Sequence, residues 1–235
     1  MLPLIVPAKS GQPSRCERLP DFAGTISGSI PSARYQDDIL TLDGGLTMNL
    51  FGGTVTANNL VMERPLGVAP TLSADVALQD IDLEPLTSAF EFGTITGHLD
   101  GRIDDLRLVD WEAVAFKAWL ETDRKVKGKR RISQRAVQDI ANVGEGGGGL
   151  TAGLQGMFLG LFDSFGYNRI GIGCELRGIV CRMEGIGSAG EGYIIVAGSG
   201  LPRLQVVGFN RYVDWPTLVA RLQAVTQGDT KPIIE

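Results

Sequence analysis

The chain has 235 residues, 32 glycines and a net charge of -5. It has no run of about 18 apolar residues that could form a transmembrane helix, and residues 1–16 lack the basic and then apolar pattern of a signal peptide. Three cysteines without CxxC spacing and a single histidine predict neither a metal site nor a cofactor. We therefore expect either a cytosolic protein or the C-terminal part of a longer one.

Residues 1–23 are expected to be irregular, and short alternating segments follow from Gly24 onward. These segments lie between turns of Gly, Asp and Asn, which is the pattern of β-strands. Each strand has one apolar and one mixed face, as in an antiparallel sheet with one side in water. The sequence therefore predicts a mainly β (α+β) protein. The predicted apolar positions on two of the strands are Leu72, Ala74, Val76 and Leu78, and Val114, Phe116, Ala118 and Leu120.

Four helices are predicted, over residues 83–90, 132–142, 150–163 and 215–226. Asp82 and Asp214 are the expected N-caps of the first and last, and each of these helices has a proline in its first turn. The glycine run Gly146–Gly149 separates the middle two, because glycine disfavours helix.

The third predicted helix is almost uncharged until Asp163. At about 20 Å it is too short to span a bilayer, so we expect it to pack against the sheet. It could be a fixed core helix, or it could move about the glycine hinge and gate an apolar trough. Its predicted apolar face comprises Leu154, Met157, Phe158, Leu161 and Phe162.

Seven basic residues and no acidic ones lie between positions 124 and 135. They could bind lipid headgroup phosphates, or they could form a solvated loop that leads into the second helix. Because no aromatic residues interleave with them and the whole chain is acidic, nucleic acid is not an expected partner. The basic residues are Arg124, Lys125, Lys127, Lys129, Arg130, Arg131 and Arg135.

The segments Ile170–Leu176 and Ile179–Glu184 are predicted to form a β-hairpin around Arg177-Gly178. This register places Cys174 opposite Cys181 on a shared apolar face. The two thiols could form a disulfide, or they could act as small buried apolar groups.

Carboxylates that could act in acid–base catalysis are not ordered relative to one another in the sequence. Asp37-Asp38, Asp104-Asp105 and Asp163 have the composition of turns. His98 lies on the polar side of its predicted strand. We therefore expect no enzymatic activity.

Several blocks together resemble the AsmA-like envelope protein family. The run Gly93–Gly101, GTITGHLDG, with Leu106-Arg107-Leu108 is similar to a repeated motif of that family. Three later blocks resemble the C-terminal region of the YdbH-type branch, which carries a "dicarboxylate transport" domain label. These blocks are RRISQRAVQDI, LFDSFGYNRIGI and GLPRLQVVGFNRYVDWPTLVARL.

The resemblance implies a single β-groove domain over residues 24–226, with a helical insert at 130–165 and a flexible tail at 227–235. The family has an elongated, open, curved antiparallel sheet whose apolar concave face holds phospholipid acyl chains. The chain would be the C-terminal part of an intermembrane phospholipid transfer protein in the periplasm, anchored in the inner membrane through a segment it does not contain. A small outer-membrane lipoprotein would pair with an edge strand. The resemblance implies no catalytic residues.

The lipid-groove candidates are Val76, Leu78, Val114, Phe116, Leu120 and the apolar face of the third helix. Two other functions remain open. The chain could be an assembly module that presents a sheet edge to a partner without holding lipid. It could also be a periplasmic small-anion (dicarboxylate) binding protein, for which a closed pocket with converging basic groups would be expected.

Overall fold

The computed structural model describes residues 25–122, 128–144, 162–201 and 203–226. The fold is mainly β, with 62% strand, and the large antiparallel sheet is open over the described ranges, which confirms the predicted class. The strands are β1 (Thr25–Gln36), β2 (Ile39–Leu50), β3 (Gly53–Glu63), β4 (Thr71–Asp82), β5 (His98–Val109), β6 (Glu112–Thr122), β7 (Arg131–Ser133), β8 (Ser164–Arg177), β9 (Val180–Gly185), β10 (Gly187–Ala189), β11 (Gly192–Ser199), β12 (Gln205–Gly208) and β13 (Tyr212–Asp214).

The main path through the sheet runs β1-β2-β3-β4-β5-β6-β8-β11-β10. Its first part, β1 to β6, is a series of antiparallel strands in which three of the connections are two-residue turns. Asp37-Asp38 and Asp110-Trp111 have positive φ at both residues, as does Phe51-Gly52. These are the dihedral signs of type I′ turns, whose twist matches that of the strands they join.

Strand β8 belongs to two parts of the sheet. Its N-terminal half pairs with β7 and β11, and Gly166 lies opposite Ser199. Its C-terminal half pairs with β6 and β9, and Arg177 lies opposite Ala115. The strand therefore connects the regular hairpin series to the shorter strands at the C-terminal end.

Three helices lie in the described ranges: α1 (Leu83–Ala89), α2 (Gln134–Gly144) and α3 (Trp215–Thr226). The predicted caps of α1 and α3 are confirmed. Asp82 Oδ1 accepts the Glu84 N–H at 3.0 Å, and Asp214 Oδ1 accepts the Thr217 N–H at 2.9 Å. Such caps satisfy N–H groups that have no partner within the helix.

Helix α2 begins two residues later than the sequence predicts. Residues 131–133 form β7 instead, pairing with β8, and the side chain of Ile132 is fully buried. Ser133 Oγ accepts the N–H of Ala136 and so caps the helix, which also ends two residues later than predicted, at Gly144. Strand pairing outweighed the helical spacing of Ile132 because it buries that side chain and also satisfies backbone groups.

The predicted helix at 150–163 lies outside the described residues up to position 161. Phe162 and Asp163, the two positions that are described, are not helical. The expected irregular lead-in at 1–23 and the tail at 227–235 also lie outside the described residues, so both stay predictions.

The hydrophobic core lies at the C-terminal end, where helices pack on the sheet. Ile132, Val137, Leu176, Cys181 and Val196 are among its most deeply buried members. Helix α3 contributes Leu218, and Trp215 packs against the same cluster. The core therefore covers only part of the large sheet.

Candidate functional site: an uncovered apolar sheet face

The strand registers align apolar side chains in rows across β2 to β6. Residues opposite each other in a sheet share a face, so each row continues from strand to strand. One row is Met48, Val55, Leu78 and Leu120, with Gly101 between the last two, and the next is Leu46, Ala57, Val76, Ile103 and Ala118. A further row is Leu40, Met62, Leu72 and Leu108. Beside it, Leu42 pairs with Leu60 and Ala74 pairs with Leu106, on the two sides of the register shift between β3 and β4.

The opposite face of the same strands is mostly polar. Thr47 lies opposite Thr56, which lies opposite Ala77, and Ala77 lies opposite Arg102. Farther along, Ser73 lies opposite Arg107, which forms an ion pair with Glu63 at 3.3 Å. The predicted separation into one apolar and one water-facing side therefore extends across the hairpin series.

A line of β-bulges crosses the sheet between the first two rows and the third. The registers of β2–β3, β3–β4, β4–β5 and β5–β6 are each interrupted there. Gly44, Asn59 and Asp105 take positive φ at the interruptions. A bulge bends its strand and increases the local twist. Stacked bulges therefore bend the whole sheet along one line, and Leu60 and Ala74 beside that line are buried.

Asp75 holds two of these bulges together from the polar face. One carboxylate oxygen accepts the Asn59 Nδ2–H at 2.6 Å, and the other accepts the backbone N–H of Asp105 at 2.9 Å. These hydrogen bonds favour the charged form and lower the pKa of Asp75. The single carboxylate of Asp75 thus fixes one bulge on β3 and another on β5.

The C-terminal part of the apolar face is covered. Phe116 is only 8% exposed, and its ring meets the Trp215 ring of α3 edge-on, with centroids 5.1 Å apart. Ile103, Leu106 and Ala118 also pack on the core cluster. Phe116 was predicted to line a groove, but it lies in the core beneath α3.

The part of the face on β1 to β4 has no such cover among the described residues. None of its described side chains belongs to the core cluster or packs against it, and the main contacts of these strands are with neighbouring strands. Leu40, Leu46, Met48, Val76 and Leu78 are all half-buried. A contiguous apolar surface that is left partly exposed is typical of a site of interaction.

The structure sorts the five predicted groove residues on strands into three groups. Val76 and Leu78 lie on the uncovered face, and Leu120 continues their row on β6. Phe116 belongs to the covered end. Val114 lies at a bulge, where Ala113 instead pairs opposite Leu108, so Val114 stands in none of the rows.

Most of the five predicted groove residues of the helix expected at 150–163 lie outside the described residues. This holds for Leu154, Met157, Phe158 and Leu161, and their packing stays a prediction. Phe162 is described and is exposed, with its ring 6.2 Å from that of Phe165.

The basic run does not form a converging anion site among its described members. Arg131 donates from Nε to Ser164 Oγ at 2.8 Å and from Nη2 to Ser164 O at 2.9 Å. Arg130 donates to Asn168 O at 3.0 Å, and Arg135 lies 3.7 Å from Asp139. Lys129 is exposed. Arg124, Lys125 and Lys127 lie outside the described residues.

The hairpin β8–β9 forms as predicted, but its register is different. Leu176 lies opposite Cys181 and Cys174 lies opposite Met183, because Gly178-Ile179 rather than Arg177-Gly178 forms the turn. The partner of each residue therefore shifts by two positions, which preserves its face. Cys174 and Cys181 are consequently diagonal neighbours, and a disulfide joins them with a Cα–Cα distance of 5.7 Å.

The disulfide bears on the cellular compartment in which the protein is found. Disulfides persist in oxidising environments, so this one is compatible with the periplasm or the cell exterior. Within the described part of the chain, no helix has the length and apolar character needed to cross a membrane.

Four of the five acidic residues weighed for catalysis lie in a turn or in ion pairs. Asp37-Asp38 forms the β1–β2 turn, Asp104 pairs with Arg102, and Asp105 pairs with Lys117. His98 Nδ1 lies 2.8 Å from Asp80 Oδ1. Across the described ranges, no group of three or more His, Cys, Asp or Glu is placed to hold a metal ion.

Comparison with protein-family models, with curated proteins and with solved structures gives no match. The geometry of the sheet is therefore the main basis for a functional interpretation.

Proposed function

We propose that the chain binds phospholipid acyl chains along its uncovered apolar face and is the C-terminal part of an intermembrane phospholipid transfer protein of the bacterial envelope. The observation that supports this most is the alignment of apolar rows across β2 to β6. Because neighbouring strands lie about 4.8 Å apart, the two rows that reach β6 extend over roughly 19 Å. An acyl chain laid along a row would contact several side chains in succession.

The energetics of such binding need no dedicated polar motif. Each methylene removed from water contributes about 0.8 kcal/mol. Val76, Leu78 and Leu46 offer surface that their neighbours in the sheet cover only in part. A lipid would gain most where the bulge line bends the sheet, since a bent face surrounds a chain better than a flat one.

The uncovered apolar face ends where its covered part begins. Phe116 and Trp215 close the apolar face where α3 packs on the sheet. Acyl chains would therefore occupy the β1–β4 part, with the polar face in water. The disulfide and the resemblance to AsmA-like proteins both favour the periplasm as the site of action.

One observation favours a second candidate, an assembly module. Within the described ranges, the twelve-residue strand β1 is paired only with β2, so its other edge is open. An open edge can accept a strand from a partner such as a small lipoprotein. This function and lipid binding use different surfaces and are compatible. The small-anion alternative has no such support, since the described arginines of the basic run bond to their own chain.

A pair of matched double variants tests the proposal. Leu46→Asp with Val76→Asp places two charges in one apolar row, whereas Thr47→Asp with Ala77→Asp places them at the adjacent positions on the polar face. Phospholipid that co-purifies with each protein is extracted and measured by mass spectrometry. Circular dichroism checks that both variants remain folded.

We expect the wild type and the polar-face variant to carry phospholipid and the apolar-face variant to lose it. Absence of lipid from the wild type, or equal lipid in the two folded variants, would contradict the proposal. Phe116→Asp is not a suitable variant, because a charge in the core would unfold the protein for reasons unrelated to lipid.

A further inference from the structure

Four hairpin connections lie side by side at one end of the sheet, and we call this end the hairpin rim (residues 35–39, 64–70, 110–112 and 177–180). Backbone hydrogen bonds join the connections in sequence. Asp38 O accepts the Arg64 N–H at 2.7 Å, and Pro70 O accepts the Asp110 N–H at 2.9 Å. Gly178 of the fourth connection donates to Val114 O at 2.8 Å, in β6 just after the third connection. The rim is therefore a continuous structural border.

Large apolar side chains are concentrated on this rim. Of the twelve that are exposed in the described residues, seven lie here, on all four connections. Leu66 and Val68 are 95% and 90% exposed, and Trp111 is 63% exposed. The other members are Tyr35, Ile39, Ile179 and Val180. Exposed apolar residues that are scattered singly over a surface need no explanation. Exposed apolar side chains on each of four successive hairpin connections, which we call the tips of the rim, do need one.

The backbone at Trp111 is a second, independent observation. Trp111 has a φ of 68° at the second position of a type I′ turn, where Gly or Asn is favoured. A bulky side chain in the left-handed region is strained. Strained backbone positions cluster at functional sites, and of the described positive-φ residues outside glycine only Trp111 and Phe51 are aromatic. Here the strained backbone projects an indole ring outward from the rim.

The chemistry of the rim favours a lipid surface over a protein. Successive tips lie two strands apart, so they project separate apolar groups at intervals of about 10 Å along a line of about 30 Å. A protein interface would need a more continuous apolar core. Trp and Tyr are the residues that favour the boundary between water and lipid.

The charges around the tips indicate which lipids fit. The rim carries four carboxylates, from Asp37, Asp38, Asp110 and Glu112, and only two guanidinium groups, from Arg64 and Arg177. It therefore lacks the basic excess that would attract anionic headgroups. Association would depend on apolar insertion into a surface without net charge.

We propose that the hairpin rim docks on a zwitterionic phospholipid surface by inserting Leu66, Val68 and Trp111 at the level of the headgroups. The uncovered apolar rows begin directly behind this rim, at Leu40, Met62 and Leu72. Docking would therefore bring the edge of the apolar face against the membrane. The docking step itself does not depend on whether that face carries acyl chains.

The test measures partition of the full, delipidated chain onto vesicles of phosphatidylcholine and phosphatidylethanolamine by co-sedimentation. Leu66→Ser with Val68→Ser removes the two most exposed apolar side chains of the rim. Leu201→Ser is the matched control, because Leu201 is 97% exposed but follows β11 at the opposite end of β8. Trp111→Phe identifies the contribution of Trp111 to the fluorescence change on binding.

We expect wild-type binding, at least about a tenfold loss of partition in the double variant and no change in Leu201→Ser. We also expect a blue shift of emission that disappears in Trp111→Phe. Absence of wild-type binding, binding that requires phosphatidylglycerol, or equal partition of the double variant and the wild type would overturn the proposal. So would a double variant that changes only self-association in sedimentation velocity, since the rim would then be an interface between copies.

Discussion

The apolar face of the sheet has two halves that the same kind of strand builds but that differ in what lies on them. Over β6, β8 and β9 it is buried under α3 and forms the core, with Phe116, Leu176 and Cys181 at its centre. Over β1 to β4 the same alternation leaves Leu46 and Val76 half-buried. The comparison teaches that an apolar strand face is a necessary feature of both a core and a binding surface, and that only the packing partner distinguishes the two.

The largest expected difference between the halves is in stability. Leu176→Ala should lower the free energy of unfolding by about 2–5 kcal/mol, because it leaves a cavity in a packed core. Leu46→Ala, the same change in the uncovered half, should cost less than about 1.5 kcal/mol, since its side chain is already partly in water. Urea denaturation of both variants measures the difference. Equal losses would show that the uncovered half is also packed.

The disulfide should stabilise the covered half in particular. Cys174→Ala should lower the free energy of unfolding by about 2–3 kcal/mol, the range for a closed loop as short as the one between positions 174 and 181. The measurement is thermal unfolding with and without reductant. Cys16→Ala, which leaves the disulfide intact, is the control. If wild-type protein that has been unfolded and refolded unfolds at the same temperature with and without reductant, the bond has no structural role.

The bulge line of the uncovered half should depend on Asp75. Asp75→Ala should cost about 1–2 kcal/mol, because it removes hydrogen bonds from a charged group to Asn59 and Asp105. Asp104→Ala is the control, since its exposed pair with Arg102 contributes at most about 1 kcal/mol.

The effect of Asp75 should also depend on pH. Its pKa is lowered in the folded protein, so its stabilisation is present above the unfolded value of about 3.9 and is lost as pH falls through the folded value. The gap in unfolding free energy between the wild type and Asp75→Ala should therefore narrow as the pH is lowered from 7 towards 3. A constant gap over that range would show that the carboxylate charge contributes nothing.

The fold class and the starts of α1 and α3 could be predicted because their signals are local. Alternation marks the strands, and Asp82 and Asp214 mark helix starts through hydrogen bonds made within a few residues. Ile132 was assigned wrongly because its environment depends on β8, more than thirty positions away. Tertiary pairing of this kind has no local signal.

The candidate site was predictable in outline but not in extent. Val76 and Leu78 could be placed on the apolar side by alternation alone, whereas the burial of Phe116 depends on Trp215, far along the chain. The bulges were missed, although Gly44, Asn59 and Asp105 belong to the residue types that tolerate positive φ. A hairpin turn that moved by one residue also changed the cysteine register, which spacing alone does not determine.

The most direct test of the central claim, that the uncovered apolar face contacts lipid, is site-specific photocross-linking in cells. A photoreactive phenylalanine analogue is placed at Val76 on the apolar face or at the adjacent Ala77 on the polar face, and cross-linked phospholipid is detected by mass spectrometry. The account predicts a lipid adduct at position 76 and little or none at position 77. Equal labelling at both positions, or a protein adduct in place of lipid at position 76, would contradict it.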